Sequence, residues 1–345
     1  MKLHDSAIWP VQKVREWYDA QPWPCGFNYI PANAVSYTEM WMDYAFDPAF
    51  IEKEMQLAQD IGFNCARVVL PFIVWEKEPD AFKARLDAFL EICHRHGIKV
   101  MPALFDDCCF GDQANPTFGK QPEMIPGWYA NGWTPSPGHD IVRDNTQWPR
   151  LEAYVKDIVG TFKNDPRVWI WDVYNEPTNG VIIGDYYAPL GDITLPLLEK
   201  VIAWTRAAQP CQPLTIGRWN GDEKLNAIAT NNSDITSFHN YNPPETLQQT
   251  ITDLKTHDRP AICTEWLCRA TGSTPATCLP IFRSERVGAM HWGLVNGKTQ
   301  THLSWRHLPG QPVNDLWQHD LFHTDHTPYD PEEIGIFREN LESRI

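Results

Sequence analysis

The sequence predicts a single-domain (β/α)8 barrel, and three observations predict it. Eight short apolar runs rich in β-branched and aromatic residues alternate with amphipathic stretches of helical period along the 345 residues. Six joints, QDIGFN, HRHGIK, KNDPRV, AQPCQP, THDRPA and SERVGA, set Gly or Pro just before an apolar run, the punctuation that ends a helix ahead of a strand. The runs are apolar almost throughout rather than at every second residue, as parallel strands covered on both faces by helices must be. Eight of each element in one chain give the barrel.

In chain order the strands are expected at 26–31 (GFNYIP), 64–72 (NCARVVLPF), 99–106 (KVMPALFD), 168–176 (VWIWDVYNE), 213–219 (PLTIGRW), 235–242 (ITSFHNYN), 261–266 (AICTEW) and 288–295 (GAMHWGLV). Helices are expected at 47–61, 81–96, 148–164, 195–208, 245–257 and 274–286, with a short one near 222–230 and a closing one at 331–342. Residues 1–22 form a short N-terminal extension, and no linker-like or low-complexity stretch divides residues 1–345. Two connections, 107–147 and 296–330, are too long for turns and too aromatic for disorder. Both follow strand C-termini, the face on which barrel enzymes place their sites.

Composition excludes other classes. With 29 Lys+Arg against 44 Asp+Glu the formal charge is −15, a surface that repels phosphate, so a nucleic-acid partner is not expected. No run of 18 apolar residues occurs, so no membrane span is expected, and MKLHDSAIWPVQKVREWYDA has no apolar segment of a signal peptide. A cytoplasmic location is the expectation, although a trimmed secreted form would read the same. Nine Cys without a C-x-x-C pair read as free, mostly buried thiols, and oligomeric state is left open. The 16 Trp are several-fold more than a core needs. Trp9, Trp17, Trp23, Trp169, Trp171 and Trp204 read as packing residues, whereas Trp41, Trp75, Trp128, Trp133, Trp148, Trp219, Trp266, Trp292, Trp305 and Trp317 fall in or beside the loops at the strand C-termini, where indoles suit the apolar faces of sugars.

Ionisable and polar residues collect at strand ends: Arg67 on the second strand, Asp106 and Asp107 on the third, Asn175 and Glu176 on the fourth, His239 and Tyr241 on the sixth, Glu265 on the seventh and Trp292 on the eighth. Carboxylates at the ends of very apolar strands need partners or a purpose. The fourth and seventh strands lie nearly opposite, so Glu176 and Glu265 converge across the mouth. Two facing carboxyls, one protonated and one ionised, are what glycoside hydrolysis uses.

VYNEP (173–177), CTEW (263–266), GFNCAR (62–67) and HNY (239–241) together resemble the clan of retaining (β/α)8 glycoside hydrolases, most closely glycoside hydrolase family 5, the cellulase and mannanase family. The likeness runs over essentially the whole barrel in the correct order. It implies that Glu176 is the general acid/base and Glu265 the nucleophile, and that Asn175 binds the sugar 2-hydroxyl. It further implies that Arg67 and Tyr241 hold the nucleophile, that His239 orients the site and that Trp292 forms the platform under the sugar. Where many members carry a His near the end of the third strand, FDDCCFGD (105–112) offers Asp106, Asp107 and Asp112. These either grip the hydroxyls of a terminal sugar, cap the following loop or bind calcium. With the aromatic loops, including Trp305, they point to a closed pocket cutting from chain ends.

The expected reaction is exo-cleavage of β-mannosides or β-glucosides in oligosaccharides. An endo-acting β-glucanase or mannanase, a transglycosylase and a non-catalytic sugar-binding barrel are the alternatives. No cofactor and no metal are expected, because no H-x-H closes the first strand and no phosphate-cradling glycine motif occurs. His94 and His96 suit a helix C-terminus. Of His302, His307, His319, His323 and His326, one or two are expected to line the cleft.

Overall fold

The computed structural model describes residues 8–342. Eleven strands lie among them: β1 (Cys25–Asn28), β2 (Cys65–Val69), β3 (Lys99–Ala103), β4 (Trp171–Asp172), β5 (Gly180–Ile183), β6 (Tyr186–Pro189), β7 (Leu214–Thr215), β8 (Gly217–Arg218), β9 (Thr236–His239), β10 (Ala261–Glu265) and β11 (Gly288–Trp292). Nine form one sheet, in the order β7-β4-β3-β2-β1-β11-β10-β9-β8, with every neighbouring pair parallel. Its edges β7 and β8 are consecutive pieces of one stretch parted by Ile216, so the sheet closes into a ring of eight strand positions. This is the (β/α)8 barrel.

The helices show why the chain alternates. In Pro48–Ile61 the Asp47 carboxylate accepts from the amides of Ala49 and Phe50, Pro48 fills the first turn where its missing N–H costs nothing, and Gly62 at φ 102° ends the helix in the left-handed region. Ile51, Met55, Ala58 and Ile61 form its buried face. Pro opens Pro79–Arg95, Pro244–Lys255 and Pro275–Ser284 in the same way.

The barrel has a sealed end. Helix Val11–Asp19, which the periodicity left inside an N-terminal extension, sets Val14 and Tyr18 against Cys65, Met101, Ile170, Ile235, Ile262 and Met290, an apolar layer at the strand N-termini. Tyr18 Oη donates to the Arg286 carbonyl at 3.0 Å, which fixes the plug. The opposite mouth carries the long loops, and these are sewn together. Ala130 N donates to Thr299 O at 2.8 Å and Gly127 N to Gln300 Oε1 at 2.9 Å, while Gln300 Nε2 donates to the carbonyls of Ile125 and Trp128.

Further differences from expectation lie in the second strand, which ends at Val69 with Phe72 opening a helix to Lys77, and around the fourth. The expected strand 168–176 pairs as a strand only at Trp171–Asp172, with Val168 and Asn175 making isolated bridges to Val100 and Asp106. Beyond Asp172 the ladder continues through single hydrogen bonds, Val173 N to Thr215 O at 2.9 Å and Asn175 N to Phe105 O at 2.7 Å, and these hold the strand end at the mouth. Residues 180–189 form an antiparallel hairpin, β5 with β6, whose signal is the Gly184-Asp185 turn between two β-prone runs. Among the described residues no helix is long and apolar enough to cross a membrane. The nine cysteines are free, and all but Cys211 are buried.

Candidate active site

Strand register builds the floor of the site. Asn28 pairs beside Arg67 across β1 and β2, and Asp172 stands beside Ala103 across β3 and β4, which places three polar side chains at one level of an otherwise apolar interior. Arg67 is 2% exposed and spends its donors entirely on protein. Nε and Nη2 donate to Asp172 Oδ2 at 2.8 and 2.6 Å, Nη1 to Asn28 Oδ1 at 2.8 Å and Glu265 Oε1 at 2.9 Å, and Nη2 to Asn175 Oδ1 at 2.6 Å. A rigid planar fork reaching four partners is a task for Arg and not for Lys.

Glu265 ends β10 after a register shift between Cys263 and Glu265, a bulge that sets it opposite His239 of β9. Besides Arg67 it accepts from Tyr241 Oη at 2.8 Å, and His239 Nδ1 lies 3.3 Å from Oε2. Glu176 takes the left-handed conformation, φ 39°, rare for a residue with a side chain, and this turns its carboxyl inward from the end of the fourth strand position. Its Oε1 meets His239 Nδ1 at 2.8 Å, and its Oε2 meets Asn179 Nδ2 at 2.7 Å and Cys108 Sγ at 3.1 Å. Ligand atoms of Glu176, His239 and Glu265 gather within 4.8 Å of one another, the set among the described residues closest to what an ion would need.

Burial raises the pKa of both carboxyls, and the charge of Glu176 raises that of Glu265 further. His239, Arg67 and the Tyr241 hydrogen bond oppose that rise at Glu265, while Cys108, Asn179 and Arg67 oppose it at Glu176. Burial lowers His239 to about 4, so its ring is neutral.

Above the carboxyls opens a cavity of about 370 Å³. Trp133, Trp219, Trp292 and Trp305 line it with Tyr129 and the hairpin tyrosines Tyr186 and Tyr187. Trp292 meets Trp133 edge to face at 5.4 Å between centroids, and Trp305 meets Tyr241 at 4.8 Å.

The structure thus brings Arg67, Asn175, Glu176, His239, Tyr241, Glu265, Trp292 and Trp305 to one place. It corrects the reading of Asp106 and Asp107 as sugar contacts: both are 0% exposed. Asp106 accepts from Asn175 Nδ2 at 2.8 Å, Trp133 Nε1 at 2.8 Å and Cys108 N at 3.0 Å, whereas Asp107 accepts from Tyr174 Oη, Thr194 Oγ1 and Thr178 N. Full hydrogen bonding is what lets such carboxylates be buried, and it leaves nothing for a ligand. Asp112 is exposed and apart from them, so the three do not form a calcium site.

The loop histidines do not line the cavity. His319 stands behind it, fully buried, with Nδ1 on the Leu267 carbonyl at 2.6 Å. His96 joins two helices through Glu52 and Gln59. Of the ten Trp assigned to the mouth, Trp41 and Trp266 are instead fully buried packing residues, and Trp317 stacks on Tyr329. Sequence reasoning missed Asn28, Cys108, Asn179, Asp172 and the hairpin. Asp172 and Asn28 sit on strands and were legible as buried polar residues, whereas Cys108 and Asn179 carry no signal of their own.

In fold, the chain is similar to several solved structures. It overlays 93% of its length on 80% of GH5_18 from Streptomyces cattleya in complex with GlcNAc, with a TM-score of 0.63 and 13% identity. An exo-β-1,4-mannosidase from Opitutaceae bacterium strain TAV5 gives 0.60 and 16% identity over 92% of this chain and 59% of that one. The endo-β-1,4-mannanase of Thermotoga petrophila gives 0.57 and 12% identity over 94% and 77%. None of the curated proteins matches the chain. The model of the cellulase family, glycosyl hydrolase family 5, matches residues 28–305, and the chain belongs to that family of glycoside hydrolases.

Proposed function

We propose that this chain is a retaining, exo-acting β-glycosidase in which Glu176 is the general acid/base and Glu265 the nucleophile. The observation that carries the reading is the gap between the carboxyls, whose oxygens come within 4.8 Å across the cavity. Retaining hydrolysis uses carboxyls about 5–5.5 Å apart, whereas the inverting mechanism needs about 6.5–9.5 Å to admit a water. Glu265 attacks the anomeric carbon as Glu176 gives its proton to the departing oxygen. Glu176, now ionised, takes a proton from the water that displaces the sugar from Glu265, which restores both groups. Arg67 and Tyr241 keep the attacking carboxylate charged and aimed. Asn175, with Oδ1 on Arg67 and Nδ2 facing Asp106 at 2.8 Å and, more loosely, Cys108 Sγ at 3.8 Å, is held beside the carboxyls where it meets the 2-hydroxyl by turning its second hydrogen from the sulfur. Trp292 supplies the apolar face beneath the ring.

Exo-action is supported by the sewing of loops 107–147 and 296–330 through Ala130, Thr299 and Gln300, which walls one side of the cavity. β-Mannosides come first as substrates: mannosidase and mannanase folds are among the likenesses, and a variant of the Streptomyces cattleya structure holds Manβ1-4GlcNAc. The endo reading is favoured by Tyr186 and Tyr187, exposed by 61% and 46% at the cavity rim, where a longer chain could stack.

A panel of aryl β-glycosides with Glu265→Ala as control tests the reading. The expected result is turnover of the mannoside, a loss of about 10⁴-fold in the variant, and a sugar trapped on Glu265 in the mass spectrum. Undiminished turnover by Glu265→Ala overturns the mechanism. Manno-oligosaccharides releasing only the monosaccharide support exo-action, and internal cleavage replaces it with the endo reading.

A further inference from the structure

Both oxygens of Glu176 are already engaged by protein, and they are engaged differently. Oε2 faces Asn179 Nδ2 at 2.7 Å and Cys108 Sγ at 3.1 Å, while Oε1 faces only His239 Nδ1, at 2.8 Å. The amide of Asn179 is oriented by Gly180, whose N–H donates to Asn179 Oδ1 at 2.8 Å, so Nδ2 must point at the carboxyl. One of its hydrogens serves Oε2 and the other reaches Cys108 Sγ at 3.2 Å. A sulfur that already accepts from Asn179 has its own hydrogen left for Glu176. Thiolate is not an option there: burial, then the charges of Asp106 and Glu176, push the Cys108 pKa well up.

We propose that Cys108 is a positioning residue for the proton transfer: its S–H donates to Glu176 Oε2, so that Oε2 acts as the carbonyl-type oxygen and the proton given to the leaving group is carried on Oε1. Two donors on Oε2 disfavour a proton there, because an O–H would meet N–H and S–H head on. Oε1 has as its neighbour Nδ1 of a neutral imidazole, which accepts from an O–H when the ring carries its hydrogen on Nε2. The arrangement serves both half-reactions, since the donors on Oε2 stay in place while only Oε1 gains and loses the proton. The thiol is a weak donor, so it holds the carboxyl without trapping it in the ionised form.

The electrostatic setting of Glu176 is otherwise fixed. Arg67 faces it from β2, His239 from β9 with Tyr241 just beyond, Glu265 from β10, Tyr129 from the long loop and Tyr187 from the hairpin. Removing one donor from this set leaves the rest in place, so the effect on Glu176 has a definite sign. Loss of the S–H weakens the carboxylate form and moves the Glu176 pKa up.

This rests on Glu176 being the acid/base, and the test separates the two ideas. The pH profile of kcat/KM is measured on an aryl β-glycoside with a poor leaving group for the wild type, Cys108→Ala, Cys108→Ser and Glu176→Gln. The basic limb of Cys108→Ala is expected to move up by about half a unit to one unit, and Cys108→Ser, which regains a donor, to return it toward the wild type. With a dinitrophenyl leaving group, which needs no protonation, the limb is expected to vanish in every form. A Cys108→Ala limb coincident with the wild type, while Glu176→Gln has lost the poor leaving group selectively, overturns the role of the thiol alone. Equal losses on both leaving groups in Glu176→Gln overturn the acid/base assignment beneath it.

Discussion

Arg67 and Glu265 are bound Nη1 to Oε1 at 2.9 Å in a site where their side chains are 2% and 5% exposed. The same guanidinium holds Asp172 at 2.6 Å and the Asn175 amide at 2.6 Å, so one residue of β2 sets the charge of the proposed nucleophile and the aim of its neighbour. Arg67→Lys keeps the charge and loses the fork. The expected outcome is a fall in kcat/KM of about 10²-fold or more, with denaturant stability lowered by about 3–5 kcal/mol because Asp172 or Glu265 is left buried and unpaired. Wild-type kinetics in that variant would show that a point charge suffices.

Asp106 reaches the cavity through its hydrogen bonds to Asn175, Trp133 and Cys108. In Asp106→Asn one oxygen becomes an amide nitrogen, and a donor then faces either Trp133 Nε1 or the pair Asn175 Nδ2 and Cys108 N. A mispaired buried donor costs about 1–3 kcal/mol. The prediction is a fall in kcat of about 10-fold or more with KM for an aryl glycoside changed less. A large rise in KM with kcat preserved would instead return Asp106 to direct sugar binding.

Gln300 holds three backbone groups of the other long loop, Gly127 N, Ile125 O and Trp128 O. Gln300→Ala is expected to loosen the wall without touching the carboxyls. Products longer than one sugar should then appear from manno-oligosaccharides, with kcat/KM on a small aryl glycoside reduced about 10-fold. An unchanged product pattern would remove the latch from the account of exo-action.

Asp320 gives a pH dependence of stability with a definite sign. Burial raises its carboxyl to about 7, against donation from Thr301 and the charge of Arg269. The folded protein therefore keeps a proton that the unfolded chain releases near pH ~4. Between those values the native state binds more protons, so this contribution is present at low pH and lost as pH rises through about 7. Asp320→Asn lacks the linkage. The stability of the wild type relative to the variant should fall from pH 5 to pH 7, by at most about 1.4 kcal/mol per unit, as read from urea midpoints. A difference independent of pH would mean that Asp320 is ionised in the folded state.

Local chemistry accounts for what was legible in the sequence. Gly62 after a helix and Pro48 or Pro244 at the start of one punctuate the chain by backbone constraints that act within a few residues, so the alternation and the barrel follow without tertiary information. Glu176 and Glu265 were legible because a carboxylate ending an apolar strand is costly anywhere else.

Tertiary structure decided the rest. Asp106 and Asp107 are adjacent in sequence and equally buried, yet their roles depend on Trp133 and Asn175 in one case and on Thr178 and Thr194 in the other, partners supplied by distant loops. Trp41 lies in the connection after β1 and Trp292 ends β11, but one is sealed by Phe82 and Phe89 while the other faces the cavity. The contact between Cys108 and Glu176 spans 68 positions and exists only because the segment after β3 and the end of the fourth strand position share one mouth. The sequence by itself determined which residues need a partner. Only the closed barrel decided which partner each one met, because a hydrogen bond is settled within about 3 Å and sequence periodicity fixes position only to a strand and a face.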